Sequence, residues 1–229
     1  MAKGEPPQEQ SRRDSLLSSL RKAFLLSLID GDAARADVII GEAVQARLEE
    51  AVIYDAVIAP AMRRIGDLWK GGEITVADEH LATHISLRVL ALQREAFRVA
   101  RQRATQRVML AAVEGEHHVV GLEMVGNLLA HDGFDVRYLG ADLPLESIPQ
   151  IVKRHRPRVF GLTVTMPWRV EVVHLAVDEI LRADPSVCVV LGGGGVPEHF
   201  RGSDRLAIVR HASQVVEEVD ALLRRPSLN

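Results

Sequence analysis

The chain has 229 residues, with 28 Lys and Arg against 31 Asp and Glu, a formal charge of −3; so flat a balance argues against a dedicated nucleic-acid binder, which carries a basic surplus. Apolar residues make up 47% and aromatic residues 4%, so Ala, Val and Leu must fill a sizeable core, as in helix-rich and parallel α/β chains. One cysteine, Cys188, excludes an internal disulfide and any zinc site built on several thiolates.

Residues 1–14 hold Gly4, Pro6, Pro7, Arg12 and Arg13 and lack the apolar core of a signal peptide, so a disordered tail and a cytoplasmic address are expected. No apolar run is long enough for a membrane span. From residue 15 to 104 the pattern is helical. Leu16, Leu17, Leu20, Phe24, Leu25 and Leu28 recur at spacings of three and four, one face of a helix. Gly31 stops it, and Asp32 caps a second helix through Ile39, Ile40, Val44 and Leu48. A third runs from Glu49 to Lys70, with Pro60 placed to bend it and Gly71-Gly72 to end it. Thr75, followed by Asp78 and Glu79, caps a long fourth helix reaching about Arg103. Four helices with short joints predict a bundle.

Residues 105–229 change period. Val108–Val113, Val136–Leu139, Val159–Val164 and Cys188–Leu191 are short, apolar, β-prone runs, with Leu206–Val209 a weaker fifth. Helical stretches at His118–His131, Leu145–Arg154, Arg169–Ala183 and Ser213–Arg224 separate them. Such alternation predicts a parallel sheet covered on both faces, with ligands beyond the carboxyl ends of its strands. The loops there are Glu114–Gly121, Gly140–Pro144, Thr163–Trp168 and Gly192–Pro197.

The first loop places Glu116 two residues before His118. A carboxylate on one ring nitrogen fixes the tautomer and raises the basicity of an imidazole that binds metal through the other. A polar loop with a surface pair, His117 and His118, is the competing reading. Thr163 and Thr165 offer two hydroxyls at the end of the third strand, and Gly192–Gly195 let backbone approach closely, for a tight turn or a bulky planar ligand. No G-x-G-x-x-G follows the first strand, so dinucleotide binding is not expected.

E-x-H-x-x-G after the first strand, a hydroxyl-bearing third strand and a glycine cluster after the fourth resemble the cobalamin-binding domain of the base-off, His-on class. The resemblance implies a Rossmann-like, flavodoxin-like parallel sheet. It implies His118 as the lower cobalt ligand, Glu116 as its hydrogen-bond partner, and His117 in the same loop. Gly121 would be a helix-packing glycine, and Asp142, in Gly140-x-Asp142, would lie near the corrin edge. Thr163, Thr165, Gly192, Gly193 and Gly194 would receive the nucleotide tail. Thr165 stands where the family usually has Leu, and Glu116 where many members have Asp.

In the helical half, Trp69, nine residues, then Glu79-His80 resembles the light-sensing cobalamin regulators of the CarH type, whose four-helix cap covers the upper face. That resemblance implies adenosylcobalamin as cofactor, with Trp69, Glu79 and His80 around the adenosyl group. Lys70 occupies the position where the family has a histidine able to take the vacated upper site, leaving His80, His84 (equally an ordinary helix-surface histidine) or water. No helix-turn-helix pattern or basic stripe is expected, so the implied protein is a sensor without direct DNA binding. It would resemble antirepressors that act on a partner, a transcription regulator or signalling protein, with a light-dependent homo-oligomer as a further expectation. A corrinoid methyl carrier is the alternative, and a cofactor-free interaction module a third reading. A chain of this length has no room for a radical mutase.

Overall fold

The computed structural model describes residues 7–96 and 106–225. Contacts divide the chain between Gln93 and Arg94 into a helical unit and a sheet unit, a division that falls ahead of the change of period near residue 105.

In the helical unit, α1 spans Pro7–Ile29, α2 Ala33–Gln45, α3 Glu50–Ile53, α4 Ala59–Lys70 and α5 Val76–Ala96. Residues 7–14, expected as tail, are the first two turns of α1; residues 1–6 and the expected helix end near Arg103 lie outside the described residues. Asp32 caps α2 by accepting from the Arg35 N–H at 2.9 Å. Thr75 and Asp78 exchange bonds at the start of α5: the Thr75 N–H donates to Asp78 Oδ2 at 2.8 Å and the Asp78 N–H to Thr75 Oγ1 at 3.2 Å. Between α3 and α4 the helix continues through a π-helical turn, Tyr54–Ile58, and Pro60 follows in the first turn of α4. A proline there has no N–H to return to the preceding turn, and the wider π turn absorbs the mismatch without breaking the helix. The core of this unit is Leu20, Phe24 and Leu28 of α1, Ile39 and Ile40 of α2, Tyr54, Val57, Ile58 and Ile65 of the π turn and α4, and Ile85, Val89 and Leu90 of α5. Leu16, expected on the buried face, is exposed.

The sheet unit is five parallel strands in the order β2-β1-β3-β4-β5. They are β1 Arg107–Val113, β2 Asp135–Leu143, β3 Val159–Thr163, β4 Cys188–Gly192 and β5 Leu206–Val209. The helices α6 Val120–His131, α7 Ile148–His155, α8 Val170–Ala183 and α9 Val215–Arg224 alternate with them. Met109, Ala111, Phe160, Leu162, Val189 and Leu191 pack with α7 and α8 on one face; α6 and α9 meet on the other. The strand order reverses between β1 and β3, and the crevice beyond their carboxyl ends is the place a ligand finds in such a sheet. β2 extends four residues past its expected end at Leu139, through Gly140 and Asp142 at φ +86° and +55°, with register shifts against Leu110–Val113. The expected loop after Leu139 is thus an irregular strand end. Among the described residues no helix is long and apolar enough to cross a membrane.

At the exit of β4, Gly193 has φ +106°, and a Cβ there would lie 2.1 Å from the Val164 carbonyl oxygen. Gly193→Ala is expected to cost about 3 kcal/mol, from left-handed strain plus a backbone clash, and to lower the thermal midpoint by roughly 10 °C, read by calorimetry.

Candidate functional site

The buried side chain of Glu116 bridges the two loops that flank the crevice. Its Oε1 accepts from the His118 N–H at 2.9 Å and lies 2.5 Å from His118 Nδ1. Its Oε2 accepts from the Thr165 N–H at 2.6 Å and the Met166 N–H at 3.1 Å. Burial alone would push this carboxyl up, but the bonds from His118, Thr165 and Met166 together hold it down, at about 2 instead of 4.5. An ionised carboxylate accepts, so Nδ1 carries the imidazole proton and a metal would be met through Nε2. The His118 side chain, just before α6, is partly exposed, and His117 is exposed.

Other elements hold this loop from the side. Asp142, left-handed at φ +55°, accepts from the Gly115 N–H at 2.7 Å and donates its own N–H to the Glu116 carbonyl at 2.9 Å. Asp142 therefore clasps the His118 loop to β2, a positioning role in addition to the corrin-edge place the resemblance implies. Glu114, which no motif singled out, accepts from the Leu145 N–H at 2.9 Å. Arg169 lies so close that a Cβ on Gly115 would be 2.3 Å from its guanidinium carbon. Both partners come from other segments, and nothing in their local sequence marks them.

The glycines divide by what surrounds them. Gly193 and Gly195 are required by protein, since Cβ atoms there would meet the backbone of Val164 and of Thr165 and Met166. A Cβ on Gly192 would be tight, 3.3 Å from the Val209 carbonyl oxygen, but not excluded, whereas one on Gly194 would meet nothing within 4 Å. Gly121 is not a packing glycine: it is exposed, with nothing within 4 Å. Gly126 is the one that packs, against Tyr138 and Leu110. Thr163 is the buried last residue of β3. Thr165 lies beyond the strand and meets Glu116 through its backbone N–H, so the expected pair of hydroxyls on one strand end does not form.

In the helical unit, Trp69 is half-buried at the end of α4, and Glu79 and His80 stand in the first turn of α5. Glu79 is largely buried; its Oε2 lies 2.7 Å from His80 Nδ1, and its Oε1 accepts from the Thr83 hydroxyl at 3.0 Å. His80 and His84 are exposed. Glu79–His80 thus repeats the carboxylate–imidazole pairing of Glu116–His118.

These residues fit a cobalt corrinoid. One imidazole is oriented by a buried anion, as a single axial ligand requires, and the open space at Gly121 and Gly194 is room that a Cβ would narrow. The Glu116 contribution to stability is complete above pH about 4.5 and is lost as pH falls toward about 2, an effect of about 3 kcal/mol. Glu116→Gln is expected to be less stable by about that amount at neutral pH, with the gap closing as pH falls through this window. Denaturant titrations of both proteins across the window check it.

Two sequence profiles, each of the B12 binding domain, match residues 106–219 and residues 20–93. The chain is 29% identical over 223 residues to the HTH-type transcriptional repressor CarA of Myxococcus xanthus, covering 96% of this chain and 71% of that protein. It is 24% identical over 222 residues to dimethylamine corrinoid protein 2 of Methanosarcina mazei, covering 93% and 96%. The fold superposes on the solved monomethylamine corrinoid protein of Methanosarcina barkeri with a TM-score of 0.73, over 87% of this chain and 96% of that one at 17% identity. With both profiles matched and the carboxylate–histidine site in place, the chain belongs to the family of B12-binding proteins.

Proposed function

We propose that this protein is a light-sensing, adenosylcobalamin-binding regulator that acts through a protein partner. The observation that carries the reading is the W-x9-E-H joint between α4 and α5, where Glu79 holds the His80 ring. Similarity to CarA, named a transcriptional repressor, supports a regulatory role. When bound, adenosylcobalamin supplies a cobalt–carbon bond that visible light can break. His118 would hold the cobalt through Nε2, and Glu116 keeps the ring in the tautomer that allows it. Asp142 and Glu114 hold the loop in register, and His117 and Gly121 border it. Thr163, Thr165 and the Gly192–Gly194 turn would border the nucleotide tail. Trp69 would shield the upper alkyl group from water, and Glu79 would accept from sugar hydroxyls. With Lys70 beside Trp69, His80, oriented by Glu79, is the imidazole this reading offers as a second candidate cobalt ligand, ahead of His84. In this reading Trp69 and Glu79 of the helical unit would have one set of contacts in darkness and another after light. A difference in contacts between two states is what a shift in partner affinity or self-association requires.

A corrinoid methyl carrier is the second reading, favoured by the match along 96% of the Methanosarcina mazei dimethylamine corrinoid protein. It needs His118 and Glu116 but gives an adenosyl pocket no role. Protein loaded with adenosylcobalamin in darkness and then lit with green light is expected to change both absorbance and elution volume. Equal affinity for methylcobalamin with no light response would favour the carrier. His118→Ala is expected to lose cobalamin binding, and Glu116→Gln to weaken it about 10- to 100-fold. Trp69→Ala is expected to lower affinity for adenosylcobalamin more than for methylcobalamin, all read by spectral titration.

A further inference from the structure

All five strands are parallel, so the sheet has two chemically distinct ends. The cofactor loops lie at the carboxyl ends. At the amino ends, Arg107 opens β1, Asp135 opens β2, and Arg158 immediately precedes β3. The Arg158 N–H donates to the Arg107 carbonyl at 2.8 Å, and Arg107 donates to the His155 carbonyl at 2.7 Å, which ties the last turn of α7 to this end. That turn and the residues after it read Lys153-Arg154-His155-Arg156-Pro157-Arg158. Lys153, Arg154, Arg156 and Arg158 are all exposed. Arg137, 59% exposed, sits beside Asp135, which it shares with Arg107. Ser186 chiefly holds the Asp184 carboxyl below its usual range, and the charges of Arg156 and Arg158 add to the effect.

Four cations thus act on two carboxylates, Arg107 and Arg137 on Asp135 and Arg156 and Arg158 on Asp184, and Lys153 and Arg154 precede them in the last turn of α7, six cations in all. That is a local charge of +4 in a chain whose total is −3, so the remainder carries −7. The expectation of no basic stripe fails here. Four of the six stand within six residues, spanning a helix end and a strand start, and strand pairing adds the other two. Three adjacent strands span about 10 Å, a width over which a DNA duplex presents several phosphates.

We propose that this basic end of the sheet binds the phosphate backbone of double-stranded DNA, without reading sequence. An acidic protein face is the other polyanion to weigh. A stable protein interface needs a broad apolar centre; the cluster holds an apolar cleft lined by Met109 and Leu139 beside Arg107, Arg137 and His155, but none of the large exposed apolar side chains of the described residues surrounds it. Polyelectrolyte binding needs only cations and the release of counterions. The site stands at the opposite end of the strands from His118, so it does not depend on the cofactor reading.

The test is fluorescence anisotropy of a labelled duplex of about two helical turns, titrated with the full chain over about 50 to 200 mM salt. Saturable binding that weakens steeply with salt is expected. Arg154→Gln/Arg156→Gln/Arg158→Gln is expected to lower affinity at least about tenfold and the salt slope by about 2.7, at 0.9 per lost phosphate contact. Cobalamin binding and melting should stay unchanged. The corresponding Lys triple variant is expected to bind like the parent, as is Arg21→Gln/Lys22→Gln on α1. Should the Gln triple variant fail to fold, Lys153→Gln/Arg154→Gln at the end of α7 carries the same test with a smaller loss. No duplex binding by the parent, or parental affinity in the Gln variants, overturns the proposal. Binding to polyglutamate but not to duplex overturns it in favour of an acidic protein partner.

Discussion

A carboxylate removed from water has to be surrounded by donors or give up its charge, and Glu116 is surrounded by donors. Four N–H groups from two loops converge on it. Because the strand order reverses between β1 and β3, those loops have no ladder between them at the crevice, and the carboxylate replaces it. One side chain thereby joins the chain across the switch point, keeps its charge, and sets which nitrogen of His118 carries the proton. Asp142 and Glu114 add three bonds from the side, so the histidine loop is held by β1, β2 and β3 together. An imidazole held in this way is already oriented, so it would lose little rotational freedom on taking a ligand.

The same parallel sheet separates charge along its axis. A buried carboxylate and its imidazole stand at one end, and the Arg107, Arg137, Arg156 and Arg158 guanidinium groups at the other. In the helical unit a second carboxylate–imidazole pair, Glu79–His80, forms between consecutive residues, whereas Glu116 reaches His118 across one intervening residue. Glu79–His80 is built on a helix, and Glu116–His118 by a loop pressed against a sheet. That contrast is visible in burial: Glu116 is sealed, while His80 faces solvent.

Much of this was legible in the residues. Helix periodicity found the helices of the N-terminal half, Asp32 and Thr75 found their caps, and β-prone runs found all five strands to within a few residues. The E-x-H spacing found the central pair, since a partner two residues away is a local fact. What escaped was non-local. Gly121 was assigned a packing role that belongs to Gly126, because only the position of Tyr138 and Leu110 tells the two apart. The Gly192–Gly195 run reads as a tight turn or as space for a ligand, and at Gly193 and Gly195 the turn prevails, the space being filled by the backbone after β3. Thr165 was chosen for its hydroxyl and contributes its N–H.

What the sequence determined by itself is what depends on period and short spacing: two halves of different period, parallel strands alternating with helices, one imidazole with its carboxylate, and a W-x9-E-H joint. Tertiary structure alone decided that Met166 and Glu114 join the site, that Thr165 enters it through its N–H and Asp142 by clasping the histidine loop, and that Arg107 and Arg137 join the basic run at the end of α7. The physical reason is that hydrogen bonds and charges act through distance in space. Strand order brings residues fifty positions apart within 3.1 Å, a proximity that no local pattern encodes.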